Sequence, residues 1–154
     1  MPQLDFLTPE AVLTGLRASG KKHALQELAG HAARLTHLDE RGILDTLVQR
    51  ERLGSTGIGD GLAIPHGKLR GLDHLVGLVA RLERPIDFDS LDGQPVDVLF
   101  LLLAPEGAGA DHLKALARVA RVLREPGALD RIRASRDADA LYAVLNQEPA
   151  SRAA

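Results

Sequence analysis

Seven consecutive apolar residues, Val98 to Ala104, form the longest such run in the 154-residue chain, and only Asp97 separates them from Val96. A strand with one wet face alternates apolar and polar residues, whereas a run without alternation belongs to a strand covered on both faces. The run is also far shorter than the ~20 residues that cross a bilayer as a helix. It therefore predicts a central strand over Val96 to Leu103. The rest of the chain must then supply apolar helix faces for two sides of one sheet.

Those faces are visible on either side of the run. Thr8-Pro9-Glu10 carries a cap, a proline and a first-turn acid, predicting a short helix to about Arg17 that ends at Ser19-Gly20. Ser19 then caps a second helix, with Ala24, Leu25, Leu28, Ala32 and Leu35 on one stripe. Asp39 caps a third, in which Ile43, Leu44, Leu47 and Val48 face the core and Gly54 is the stop. Leu75 to Leu82 reads as a strand, Arg84-Pro85 as a breaker, Ile86-Asp87-Phe88 as a short edge segment and Asp92-Gly93 as a turn. Beyond the apolar run, Asp111 precedes a helix to about Arg124 with Leu113, Leu116, Ala120 and Leu123 buried, and Pro126-Gly127 breaks it. Leu129 to Ala134 and Asp137 to Leu145 are two further helices, and Glu148 to Ala154 a frayed tail. Helices, then strands, then helices predict an α/β fold, a three-layer α/β/α sandwich around a small mixed β-sheet. A chain of this length buries roughly two-thirds of its unfolded surface in one core. Residues 1–154 are thus expected to be a single domain, ordered from about residue 4 to 147.

Composition narrows the function. A formal charge of −2 and a pI near 6.3 give no basic footprint for nucleic acid, and four aromatic residues are too few to stack bases. The absence of cysteine excludes disulfides, zinc thiolates and thiol catalysis. No signal pattern opens the chain, so a cytoplasmic protein without membrane insertion is expected.

Two features carry chemistry. Residues 54–61 hold four glycines in eight positions, and Gly57, Gly59 and Gly61 alternate so that backbone N–H groups can turn toward an anion. Neither nucleotide pattern fits: five residues, not four, separate Gly61 from Gly67-Lys68, Leu69 replaces the metal-binding hydroxyl, and a helix precedes the loop. His66 lies between Pro65, which fixes the backbone, and Gly67, which leaves one flank of the imidazole open, as suits a nucleophile meeting a bulky electrophile. His112 follows Asp111 at a helix start, where the dipole favours the neutral ring. Arg50 ends the third helix and serves either that helix's negative end or, as a planar fork, phosphate oxygens. His23, His31 and His37 read as a solvated face, His74 beside Asp73 as a turn residue, and Lys114, Arg118 and Arg121 as a charged helix face.

The stretch Arg50 to Lys68, with its Ala-Ile-Pro-His core and an arginine sixteen positions upstream of His66, resembles the active segment of the mannitol/fructose-type enzyme IIA domains of the bacterial phosphotransferase system. The Ser19-to-Ala24 stretch is similar to the nitrogen-related branch of that family, and the resemblance runs from about Leu4 to Leu145. Asp60 departs from the asparagine more usual there. The resemblance implies that His66 accepts a phosphoryl group on Nε2 from a histidine of an HPr-like phosphocarrier protein (NPr), with Arg50 and His112 as the other active-site residues. Ser55, Thr56 and the N–H groups of Gly57, Gly59 and Gly61 are the expected phosphoryl-binding donors, and neither metal nor nucleotide cofactor is needed. It also implies regulatory targets such as a potassium transporter or a sensor kinase.

Three rivals stand beside this reading. One is a sugar-specific enzyme IIA feeding a fructose or mannitol permease. A second is a metal-dependent hydrolase built on His66, His74 and His112 with Asp73 or Asp111, whose spacing matches no tight motif. The third is a binding module that has lost phosphotransfer, against which the intact Arg50, His66 and His112 set argues.

Overall fold

The structure, a computed structural model, describes residues 4–146. A six-stranded mixed sheet runs in the order β1 (Val12–Leu16), β5 (Val76–Ile86), β6 (Val96–Pro105), β3 (Leu62–Ala63) and β2 (Gly57–Gly59), with β4 (His66–Leu69) also paired to β6. Strand β6 (Val96–Pro105) is its centre, antiparallel to β5 (Val76–Ile86) and parallel to β3 (Leu62–Ala63) and β4 (His66–Leu69). Every residue from Val98 to Ala104 is fully buried. Such burial requires cover on both faces, and α1 (Lys21–Thr36) with α2 (Glu40–Arg52) forms one layer. Helices α3 (Ala110–Leu123), α4 (Ala128–Ala134) and α5 (Ala138–Leu145) form the other, completing the expected three-layer α/β arrangement. Each buried leucine of β6 contributes about 1.5–3 kcal/mol over its exposed state. The described residues close on themselves where the Leu4 N–H meets Asn146 Oδ1 at 2.8 Å.

Four local expectations are corrected. The Thr8-Pro9-Glu10 signals start only one 3-10 turn, Pro9–Ala11, and the chain then runs extended as β1 (Val12–Leu16) instead of continuing as a helix to Arg17. The open edge of β5 decides this: pairing Val12 with Val79 in parallel satisfies the backbone while burying Val12 and Leu16, and Gly15, at φ +75°, shifts the register. Ser19 does not cap α1, whose N-cap is Gly20; its N–H and hydroxyl meet His23 Nδ1 at 3.0 and 3.3 Å. Arg84-Pro85 does not end β5, because Pro85 lies in a stretch where the ladder to β6 is irregular between Arg81 and Ile86 and needs no N–H there. Ile86 therefore closes β5 opposite Val96, while Phe88 turns into the core. In α3 the buried face comprises His112, Ala115, Val119, Val122 and Leu123, and Leu113 is 68% exposed. The face is rotated by about one position, with His112 and Ala115 turned inward. Asp39 caps α2 as expected, accepting the Gly42 N–H at 2.9 Å, and Asp137 caps α5, accepting the Ala140 N–H at 2.9 Å. The expected tail from Glu148 lies outside the described residues.

Candidate functional site

His66 opens β4, in register with Leu102 of the central strand. Pro65 immediately before it accepts the Leu102 N–H at 3.0 Å, so both sides of the histidine's backbone are tied to β6. Gly67 is required by what lies above it, because a Cβ there would stand 2.6 Å from Thr46 Cγ2 of α2. The sequence thus lets α2 close onto β4, and this contact brings Arg50 beside the imidazole.

The ring is held at both nitrogens. Nδ1 lies 2.9 Å from the Ile64 carbonyl oxygen, and Arg50 Nε lies 3.1 Å from Nε2. A carbonyl can only accept and a guanidinium can only donate, so Nδ1 carries the proton and Nε2 presents its lone pair. The side chain is half-buried, and burial pushes its pKa below the ordinary histidine value; the Ile64 bond opposes this shift, Arg50 reinforces it, and Glu51 opposes it. The neutral Nδ1–H tautomer is the result. Arg50 is itself braced, since its Nη1 donates to the Gly54 carbonyl oxygen at 2.9 Å.

His112 enters from the first turn of α3, its ring centroid 5.5 Å from that of His66 at an interplanar angle of 57°. It is 7% exposed, and its Nε2 has no hydrogen-bond partner. Burial first, then His66 and Lys68, pushes its pKa down, so it too is neutral. The structure thus brings Arg50, His66 and His112 together.

The glycine-rich segment turns its donors elsewhere. Ser55 Oγ donates to the Phe88 carbonyl oxygen at 2.7 Å and accepts the Gly57 N–H at 3.0 Å. The Thr56 N–H and hydroxyl both donate to the Glu51 carboxylate. Gly57–Gly59 forms β2, a hairpin with β3 whose turn includes Asp60 at φ +58° and Gly61 at φ +81°. A Cβ on Gly61 would meet Arg133 Nη2 at 2.4 Å; Arg133 forks onto Asp97 and also donates to the Asp60 carbonyl oxygen.

The remaining candidates lie apart from this cluster. His74 pairs with its exposed neighbour Asp73, at 2.5 Å, and among the described residues no three His, Asp or Glu side chains gather as a metal site. Arg118 lies 3.8 Å from Asp5 and over the Phe6 ring. Among the described residues no helix is long and apolar enough to cross a membrane. Sequence reasoning passed over Glu51 and Lys21. The available signal was an acid in the last turn of α2, where a helix's negative end disfavours it.

The family model described as "Phosphoenolpyruvate-dependent sugar phosphotransferase system, EIIA 2" matches residues 5–148. The chain is 60% identical over 153 residues to a nitrogen regulatory protein of Bradyrhizobium diazoefficiens, covering 99% of this chain and 100% of that one. In structure it is similar to the nitrogen regulatory protein IIA-Ntr of Neisseria meningitidis, with a TM-score of 0.87 and 31% identity over 92% of this chain and 97% of that one. It also matches the mannitol IIA of Escherichia coli with a TM-score of 0.75, covering 90% and 97% of the two chains; at 16% identity that likeness establishes the fold alone.

Proposed function

The chain belongs to the EIIA 2 family of the phosphoenolpyruvate-dependent sugar phosphotransferase system, a phosphotransferase component, and on that premise we propose that it is a phosphohistidine carrier acting in nitrogen-related regulation. His66 Nε2 is the acceptor, and the donor is the phosphohistidine of an HPr-like carrier (NPr). The observation that carries this reading is the locked tautomer: Ile64 holds the proton on Nδ1 and leaves the Nε2 lone pair facing Arg50.

The lone pair attacks phosphorus as the N–P bond of the carrier breaks, and the leaving imidazole keeps the bonding electrons. Positive charge gained by the His66 ring is met by the Ile64 carbonyl at Nδ1–H. Negative charge on the equatorial oxygens is met by the Arg50 guanidinium, which exchanges the nitrogen lone pair for phosphoryl oxygen. His112, neutral and unpartnered at Nε2, supplies one further hydrogen bond to the transferred group. Ser55, Thr56 and Gly57 would have to exchange internal bonds to reach the phosphoryl group, and Gly59 and Gly61 shape the hairpin. The transfer uses no metal or nucleotide. Downstream, a dianion at this surface changes its charge for a partner such as a potassium transporter or sensor kinase in the cytoplasm. The 60% identity to a nitrogen regulatory protein favours this over sugar transport, for which the mannitol likeness supports only a shared fold.

The test is incubation with phosphoenolpyruvate, enzyme I and an HPr-like carrier, followed by mapping of the acid-labile label. Label on His66, and none on a folded His66→Ala protein, is the expected result. Full labelling of that variant would overturn the assignment.

A further inference from the structure

We propose that Glu51 is a positioning residue for transfer at His66, acting through the loop that fixes Arg50; the inference rests on the phosphocarrier reading. The Glu51 side chain is only 6% exposed, although it stands in the last turn of α2, where the dipole opposes a negative charge. Burial of a carboxylate there has to be compensated by donors. Three are present. The Thr56 N–H donates to Oε1 at 3.1 Å, the Thr56 hydroxyl donates to Oε2, and Lys21 Nζ, from the first turn of α1, lies 3.0 Å from Oε1. Lys21 is in turn seated 4.9 Å above the Phe88 ring and 3.5 Å from Asp89.

The consequence falls on Gly54. Residues 51 and 56 are clamped to each other, so the four residues between them form a closed loop with little freedom. Gly54 sits inside it at φ +145°, a backbone region that favours glycine, and its carbonyl oxygen receives Arg50 Nη1 at 2.9 Å. Arg50 therefore reaches His66 as a fork with one prong set by this carbonyl and the other, Nε, aimed at Nε2. Without the Glu51 side-chain clamp, Gly54 keeps only its N–H bond to the Glu51 backbone carbonyl at 3.1 Å, and the brace that points the guanidinium loosens. Glu51 never touches the reacting atoms; apart from its charge at His66, its positioning effect passes through Arg50.

Coupling to Arg50 separates this role from a merely structural one. Phosphoryl acceptance from the HPr-like carrier is measured for wild type, Glu51→Ala, Arg50→Ala and the double variant, with melting as the fold control. Glu51→Ala is expected to slow acceptance about tenfold at little change in the carrier concentration needed for half-maximal rate. In the Arg50→Ala background it should cost less than about twofold. Glu51→Gln, which still accepts the Thr56 N–H, should recover most of the rate. A second readout needs no phosphorylation: in the nuclear magnetic resonance spectrum the Arg50 Nε–H should be slow to exchange in wild type and Glu51→Gln, and fast in Glu51→Ala. Should Glu51→Ala fail to fold, Thr56→Val, which removes only the hydroxyl arm, carries the same comparison with a smaller loss. Wild-type exchange and rate in the folded variant, or an equal rate loss with and without Arg50, overturns the proposal. Wild type that takes no phosphoryl group while its Arg50 exchange behaves as described overturns the phosphocarrier reading and leaves the clamp standing.

Discussion

Strand β6 and the segment from Gly54 to Leu69 lie side by side in one sheet, yet different forces hold them. The strand is fixed by burial: Val98 to Ala104 are wholly inaccessible, and Phe100 meets Phe6 edge-on at 6.5 Å. The segment is made of strands of two to four residues, too short to hold themselves, and is fixed by polar ties to distant parts of the chain. Ser55 reaches Phe88, Asp60 N–H reaches Asp92, and Arg133 binds both Asp97 and the hairpin turn. Non-directional burial supplies most of the stability; directional bonds set where a few atoms stand. Stability and chemistry should therefore be separable by mutation.

The largest effect expected in a test of that separation is on the core. Phe100→Ala removes a fully buried ring and should cost about 3–5 kcal/mol in denaturant unfolding. At temperatures where the variant is folded, it should still take phosphoryl at close to the wild-type rate. A tenfold slower folded variant would break the comparison, showing that the site feels the core directly. Arg50→Lys is the converse. It keeps the charge but not the fork, so it should melt within a few degrees of wild type and accept phosphoryl about tenfold more slowly, ~1.4 kcal/mol in the barrier. Arg52→Lys, at an exposed position two residues on, should change neither property. Equal rates for Arg50→Lys and wild type would reduce Arg50 to a helix-end residue. The smallest effect is on pH dependence. Folding lowers the pKa of His112, so below about pH 6.5 the unfolded chain takes up a proton that the folded one refuses. The contribution is intact above that value and is lost as pH falls through the folded pKa, at no more than about 1.4 kcal/mol per pH unit. His112→Gln should flatten the acid-side decline in stability; an unchanged slope would mean that His112 is not held neutral.

The same contrast sets how much could be read from the chain. The apolar run located β6 and required layers on both sides, α1 and α2 were legible from apolar stripes, α2 also from Asp39 as its cap, and α4 and α5 were placed close to their observed bounds. Strand β1 was not, because Thr8-Pro9-Glu10 is a valid helix start that yields one turn before the edge of β5 captures Val12 to Leu16. Leu113 was misplaced for a related reason: hydrophobicity alone cannot choose between two faces one position apart when a histidine occupies the inner one. In the site, His66 was singled out by Pro65 and Gly67, but its meeting with Arg50 sixteen positions upstream depends on Thr46 packing over Gly67, which only a family resemblance foreshadowed. Glu51 left only the mark of an acid at a helix end, since its partners Lys21 and Thr56 lie thirty residues upstream and five downstream, and no period links them.

The backbone pairing of Pro65 and His66 with Leu102 has a consequence for how a phosphorylated form would be noticed. The histidine's backbone is fastened to the fully buried central strand, so a group added at Nε2 meets a backbone that β6 holds in place. On the reading proposed above, the modification is a mark, not a lever: the outline of the molecule stays the same and only its label changes. A reader protein would have to touch the phosphoryl oxygens themselves, and would sense nothing from the far side of the sheet. The message would then last as long as the P–N bond, with no slower conformational memory behind it.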